Sequence, residues 1–318
     1  MFLGIEIGGT KLQLGVGRGA GVLAGLWRAT VDPRQGAEGI RRQIVQGVPE
    51  LLEQANLDRS QLRGVGIGFG GPVDDATRTV IKSHQIDGWD NFPLADWIGD
   101  LVGLPAALGN DADVAGLAEA LFGAGKGLSP IFYITIGSGI GGGLIINGEI
   151  HRGTGRGAAE IGHLRVPFVQ AGELRSALLE HIASGWGIQE WARHEMARSR
   201  TAFAHWSKVQ GDAPALTARI VADAAAAGDE AAWCMLYQAW EKLADAICHV
   251  IALLCPRRIV IGGGVSLMGE QVLFDPLRKL VAERVFKPFA DCYDIVPASL
   301  GEEVVVHGAL ALARQKLS

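Results

Sequence analysis

The chain opens on an apolar run, Phe2-Leu3-Gly4-Ile5-Glu6-Ile7, which is followed by Gly8-Gly9-Thr10-Lys11 and a second apolar run from Leu12 to Val16. That pattern predicts two strands, Leu3 to Ile7 and Leu12 to Val16, joined at a glycine tip. The design recurs near mid-chain. Ile131 to Ile136 predicts a strand, Gly137-Ser138-Gly139-Ile140-Gly141-Gly142-Gly143 a glycine-rich tip, and Leu144-Ile145-Ile146 the returning strand. Ile5-Glu6-Ile7-Gly8 aligns with Ile134-Thr135-Ile136-Gly137, so the chain is expected to hold two related lobes that each offer a glycine tip to one cleft.

Between the two tips the pattern predicts a helix from Ala37 to Glu53 and a strand from Gly64 to Phe69 that ends in Gly70-Gly71-Pro72. A polar loop containing Trp89 follows, then a strand from Pro105 to Leu108 and an alanine-rich helix from Ala112 to Phe122. Alternating strands and helices indicate an α/β fold. Beyond Leu178 the pattern is mainly helical as far as Leu254, with breaks at Asp212 to Pro214 and Gly228-Asp229. A strand from Arg258 to Ile261 then runs into Gly262-Gly263-Gly264 and a helix, and a last helix starts at Val304. The expected division is a small lobe of residues 1–112 plus 299–318 and a large lobe of residues 113–298.

Composition narrows the function classes. A chain of 318 residues with 48% hydrophobic content buries a core large enough for two lobes. Its net charge of −5 supplies no basic field for nucleic acid, so that partner is not expected. The start lacks a signal-peptide pattern, and the run from Ala246 to Cys255 falls short of the roughly 20 residues that cross a bilayer. A cytoplasmic protein without membrane association is expected. Cys234, Cys248, Cys255 and Cys292 form no Cys-x-x-Cys pair and sit in apolar segments, which predicts buried thiols in a reducing compartment.

The candidate chemistry lies at the strand ends. Tight glycine turns bring backbone N–H groups close to phosphate oxygens, and Gly8-Gly9-Thr10 and Gly137-Ser138-Gly139 both offer such turns with a hydroxyl. Lys11 adds a positive charge, and Glu6 stands where a carboxylate would orient Mg²⁺ through its waters. An ordinary hairpin turn explains either loop alone; the pair favours a nucleotide. Neither loop has the spacing of a P-loop or a Rossmann turn. Gly262-Gly263-Gly264 suits an adenine lying against the backbone, or simply a turn between strand and helix. Asp111 follows a strand and opens a helix, where it serves either as helix N-cap or as the base that accepts a hydroxyl proton. Capping belongs as readily to Asn110. Glu160 and His163, three residues apart after the loop Gly153 to Gly157, pair an acceptor with a donor for neighbouring hydroxyls. Read alone, His163 is an ordinary structural histidine and Glu180 a polar residue on a helix.

In these segments the sequence resembles the ROK family, the sugar kinases and sugar-responsive repressors related to bacterial glucokinases. The resemblance covers nearly the whole chain. It rests on Ile5 to Lys11, Gly70-Gly71-Pro72-Val73, Gly109-Asn110-Asp111-Ala112, Thr135 to Gly143, Glu160-Ile161-Gly162-His163 and Ile261 to Val265. It implies a two-lobed actin-like ATPase (ribonuclease H-like) fold with the active site in the interlobe cleft. It also implies ATP-dependent phosphorylation of a hexose 6-hydroxyl, with glucose first and N-acetylmannosamine, fructose and allose behind it, and a homodimer.

The same resemblance makes Asp111 the general base, with Gly71, Asn110, Glu160, His163 and Glu180 around the sugar. Gly8, Gly9, Thr10, Gly137, Ser138 and Gly139 would hold the ATP phosphates, and Gly262, Gly263 and Gly264 would face the adenosine. A sugar-sensing repressor of the same family needs a DNA-binding helix-turn-helix, and only four residues precede Ile5. Two departures stand out. Family kinases carry a Cys-x-Cys-Gly-x-x-Gly-Cys segment that binds structural zinc, whereas Leu164 to Leu178 contains no cysteine. No zinc is expected, and packing of Val166, Pro167 and Phe168 is expected to hold that loop. The usual Asp of the first phosphate loop is Glu6, one methylene longer with the same charge.

Overall fold

Strand β1 (Phe2–Ile7) pairs with β2 (Lys11–Gly17) as the hairpin read from the sequence, in register from Phe2 opposite Gly17 to Ile7 opposite Leu12. All six residues of β1 are buried, which is why the strand reads as a continuous apolar run and not as an alternation. The structure, a computed structural model, describes residues 1–74, 76–83, 85–170, 173–198 and 216–318. The chain continues through β3 (Leu23–Thr30), α1 (Gly36–Gln54), β4 (Val65–Phe69), the short β5 (Val73–Asp74) and β6 (Thr79–Val80), α2 (Leu94–Val102), β7 (Ala106–Asn110) and α3 (Asp111–Phe122). Next come β8 (Ile131–Ile136), β9 (Ile140–Ile146), β10 (Glu149–Ile150), β11 (Arg165–Gln170) and β12 (Glu173–Leu178). The remainder is α4 (Glu180–Ala183), α5 (Gly185–Arg198), α6 (Ala218–Ala226), α7 (Glu230–Leu254), β13 (Arg258–Gly262), α8 (Asp275–Arg284), β14 (Ile295–Pro297) and α9 (Val304–Leu317). The predicted break at Asp212 to Pro214 lies outside the described residues.

Two sheets follow one plan. The first has the order β3-β2-β1-β4-β7 and the second β10-β9-β8-β13-β14. In both, a hairpin and a third strand form one side, and two later strands extend the sheet from the hairpin's first strand. The repeat of four residues seen in the sequence therefore marks a repeat of topology.

Contacts group the chain into two compact units. One contains Met1–Tyr133, Gly143–Ala159 and Ser299–Ser318; the other contains Ile134–Gly142 and Glu160–Ala298. This division differs from a boundary at 112/113, because α3 packs against α9 and β7 and so belongs with the first unit. In that unit α9 lies on β1 and β4 at backbone distance: a Cβ on Gly66 would stand 1.8 Å from the Ala309 carbonyl oxygen, and one on Gly308 would stand 1.9 Å from that of Val114. The loop read as polar holds Trp89 fully buried, edge-on to Phe69 and Phe92, with the Arg41 guanidinium over the Phe92 ring.

The second unit is organised by α7. Asp229 caps its N-terminus by accepting from the Ala232 N–H, and Cys255, in the left-handed region at φ 42°, closes it just before Pro256. The buried residues of α7 recur at helical spacing from Ala232 to Ile251, and Cys234 and Cys248 fall between them. The cysteines are accordingly not buried as expected: Cys234 is exposed and the other three are partly exposed, all as free thiols. The run from Ala246 to Cys255 is likewise core on one side only, since Leu253 is exposed. In the segment Leu164 to Leu178, β11 and β12 form an antiparallel ladder from Arg165 opposite Leu178 to Gln170 opposite Glu173. Val166 is buried there but Pro167 is exposed, so backbone pairing does the work assigned to Pro167 packing. Among the described residues no helix is long and apolar enough to cross a membrane.

Candidate active site

In the first unit the candidate residues gather at the ends of β1, β4 and β7. The Gly8 N–H donates to the Lys11 carbonyl at 3.0 Å and closes the first glycine tip. A Cβ on Gly9 would fall 1.6 Å from Gln85 Oε1, so the Gln85 side chain lies directly against the tip and would have to swing away from any larger residue there. Thr10 is exposed. Lys11 Nζ stands 3.0 Å from Glu6 Oε1 and donates to the Glu302 carbonyl at 3.0 Å, so its charge is directed at Glu6 within the unit. Glu6 is buried, and burial pushes its carboxyl up to about 7 against the opposing pull of Lys11, with the Asp111 and Glu302 charges adding to the rise. Its second oxygen, Oε2, is buried with no hydrogen-bond partner.

The step from β7 into α3 separates the roles of Asn110 and Asp111. Asn110 is the N-cap: its Oδ1 accepts from Ala112 N at 2.9 Å and Asp113 N at 3.4 Å, while its Nδ2 donates to the Gly71 carbonyl at 2.9 Å. Asp111 is the first helical residue, with Oδ1 accepting from Ala112 N at 2.8 Å. Its Oδ2 lies 3.5 Å from the position a Cβ on Gly70 would take, so the carboxylate faces the Gly70-Gly71 turn. Gly71 is itself tightly held, since a Cβ there would stand 2.8 Å from the Lys82 carbonyl oxygen. Gly71, Asn110 and Asp111 thus form one group at the N-terminus of α3.

In the second unit the Gly137 N–H donates to the Gly139 carbonyl at 2.9 Å, and the Gly137 carbonyl accepts from Gly185 N at 2.8 Å. Glu180, the first residue of α4, puts Oε2 3.0 Å from the Cβ position of Gly139. Gly263, at φ 83°, crosses the end of β8 so closely that a Cβ would meet the Ile136 carbonyl oxygen at 2.6 Å. Gly262 ends β13, and Gly264 opens the helical turn after it. Gly137, Ser138 and Gly264 line one pocket of about 430 Å³, together with Trp186, Gln189, Thr217, Arg219, Leu267 and Met268. Sequence reading identified its glycines and missed its walls, which come from α5, α6 and the turn after β13. Glu160 precedes a short 3-10 turn, Ile161–His163, and both Glu160 and His163 are exposed. Gly162 fixes that turn, since a Cβ would stand 2.0 Å from the Ile140 carbonyl oxygen. Among the described residues no three His, Cys, Asp or Glu side chains are arranged to hold a metal ion.

Comparison with known proteins places the chain as a whole. The model of the ROK family matches residues 2–316. A glucokinase of Thermotoga maritima is 30% identical over 99% of this chain and 98% of its own length. The solved structure of a ROK family glucokinase from Streptomyces griseus, in complex with glucose and AMPPNP, is 32% identical, with a TM-score of 0.80 over 99% of both chains. A xylose repressor of Caldicellulosiruptor bescii is 24% identical over 98% of this chain and 77% of its own length. The two sheets of one plan are those of the two-lobed actin-like ATPase fold shared by ROK sugar kinases. With the family model spanning almost every residue, the chain belongs to the ROK family.

Proposed function

We propose that this protein is an ATP-dependent sugar kinase that transfers the γ-phosphoryl group to the 6-hydroxyl of a hexose, with glucose as the first candidate. The observation that carries the reading is the division of labour at the start of α3. Asn110 takes the cap, and Asp111 turns its carboxylate to the Gly70-Gly71 turn as a base for a hydroxyl proton. Family membership and the glucokinase relatives support it.

In this reading Gly71 and Asn110 are the hydroxyl-binding residues of the first unit, and Glu160, His163 and Glu180 are those of the second. Each unit offers a phosphate-binding turn, Gly8-Gly9-Thr10 in the first and Gly137-Ser138-Gly139 in the second, and the 430 Å³ pocket that Gly264 lines is the adenosine pocket. Mg²⁺ bound with ATP would supply charge neutralisation for the phosphates. The unpartnered, buried Glu6 Oε2 fits a water of its hydration shell, and Lys11 holds Glu6 in place. Catalysis then consists of positioning and charge stabilisation around an in-line transfer. The test is phosphorus NMR of products formed from Mg·ATP and a panel of hexoses and N-acetylhexosamines. A single sugar 6-phosphate confirms the class and names the substrate, whereas sugar binding without any phosphorylated product assigns the chain to sugar sensing instead.

A further inference from the structure

We propose that Arg152 is a positioning residue for the Asp111 carboxylate, acting through a buried clamp on the first turn of α3. The proposal rests on the reading of Asp111 as the base. Arg152 follows β10 and is nearly buried, with 11% of its side chain exposed, and its partner Asp113 retains 3%. Nη1 donates to Asp113 Oδ2 at 2.5 Å, while Nη2 donates to the Val73 carbonyl at 3.0 Å and to the Gly155 carbonyl at 3.2 Å. One guanidinium therefore ties three segments of the first unit. These are the helical turn that begins with Asp111, the strand β5 that follows Gly70-Gly71-Pro72, and the loop Gly153 to Gly157 that leads toward Glu160.

Residues two apart on a helix point to different sides, so Arg152 grips α3 away from the Asp111 carboxylate and acts on it through the helix. What it fixes is the placement of that turn against the Gly70-Gly71 turn, the same relation that the Asn110 to Gly71 bond fixes from the other side. A buried ion pair is a poor means of adding stability, because apolar side chains of the same volume serve as well. It is a good means of setting one geometry, and the planar fork of Arg reaches acceptors in different directions as the single nitrogen of Lys does not. A displacement of about 1 Å at a reacting group costs on the order of a hundredfold in rate, which makes such a clamp worth having at this turn.

The test is a kinetic cycle of Arg152→Lys and Asp111→Asn, single and combined, on the preferred sugar. Arg152→Lys keeps the charge and is expected to keep the fold. It should lower kcat about tenfold and raise the sugar KM, leaving the ATP KM unchanged. In the Asp111→Asn background the same substitution should cost less than about twofold, because the group it positions is gone. An equal loss in both backgrounds, or full activity of Arg152→Lys, overturns the clamp while leaving Asp111 as base. Wild-type turnover in Asp111→Asn alone overturns the base assignment and the clamp with it. Should Arg152→Lys fail to fold, Asp113→Asn enters the same cycle from the other end of the pair, with the same outcomes.

Discussion

Glu119 is predicted to be irreplaceable even by its own amide. It sits on α3 with no exposed surface, and each carboxylate oxygen collects two donors. Oε1 accepts from Ser299 N and Leu300 N, both at 2.9 Å; Oε2 accepts from Ala124 N at 2.7 Å and Ser299 Oγ at 3.3 Å. These bonds fasten the end of α3 to the segment that leads into α9. In Glu119→Gln the amide NH₂ must face at least one backbone N–H in either orientation, leaving a buried donor orphaned, while the surviving bonds lose their charge. An orphaned buried donor costs about 1–3 kcal/mol, and each charge-assisted bond drops by about 1 kcal/mol on becoming neutral. Relief of the cost of burying a carboxylate offsets part of this, giving a net loss of about 3 kcal/mol. At about 2–4 °C per kcal/mol for domains of 150–250 residues, the melting temperature should fall by about 6–12 °C. Calorimetry of wild type, Glu119→Gln and Glu119→Ala at one pH measures it, with Ala expected to lose more. A Gln variant melting within about 2 °C of wild type refutes the four-donor argument.

Glu6 gives a pH prediction with a definite sign. Its folded value near 7 lies above the ordinary 4.5, so the folded state binds the extra proton. Its contribution is therefore fully present below pH 4.5 and is lost as the pH rises through 7, a change of about 3 kcal/mol. Glu6→Gln should abolish that slope, so denaturant titrations should show the variant gaining on wild type from pH 5 to pH 8; parallel curves contradict it. Leu267 is exposed beside the Gly264 pocket, and Leu267→Asp should raise the KM for ATP several-fold without moving the sugar KM. A shift in the sugar KM alone places the adenosine elsewhere.

The parts of this site that could be read from the sequence are those whose chemistry is local. A glycine tip needs only its own residues to approach a phosphate, and Asn110 next to Asp111 carries its own capping logic. Gln85 over Gly9, the Arg152 clamp and the Trp186 and Leu267 walls were not legible, because each depends on segments far apart in the chain meeting. The same cause hid the burial of Trp89, whose neighbours read as a polar loop while Phe69 and Phe92 pack edge-on against its ring. The thiols were misread because an apolar stretch on a long helix still has an outer side, and Cys234 lies on it.

The central claim is that Asp111 takes the hydroxyl proton during phosphoryl transfer. It is tested most directly by ADP release from Mg·ATP with the preferred sugar, for wild type and Asp111→Asn, alongside calorimetric sugar affinity. The account predicts turnover that falls by about a hundredfold or more in the variant with sugar affinity largely retained. Near-normal turnover in Asp111→Asn at unchanged sugar affinity contradicts it.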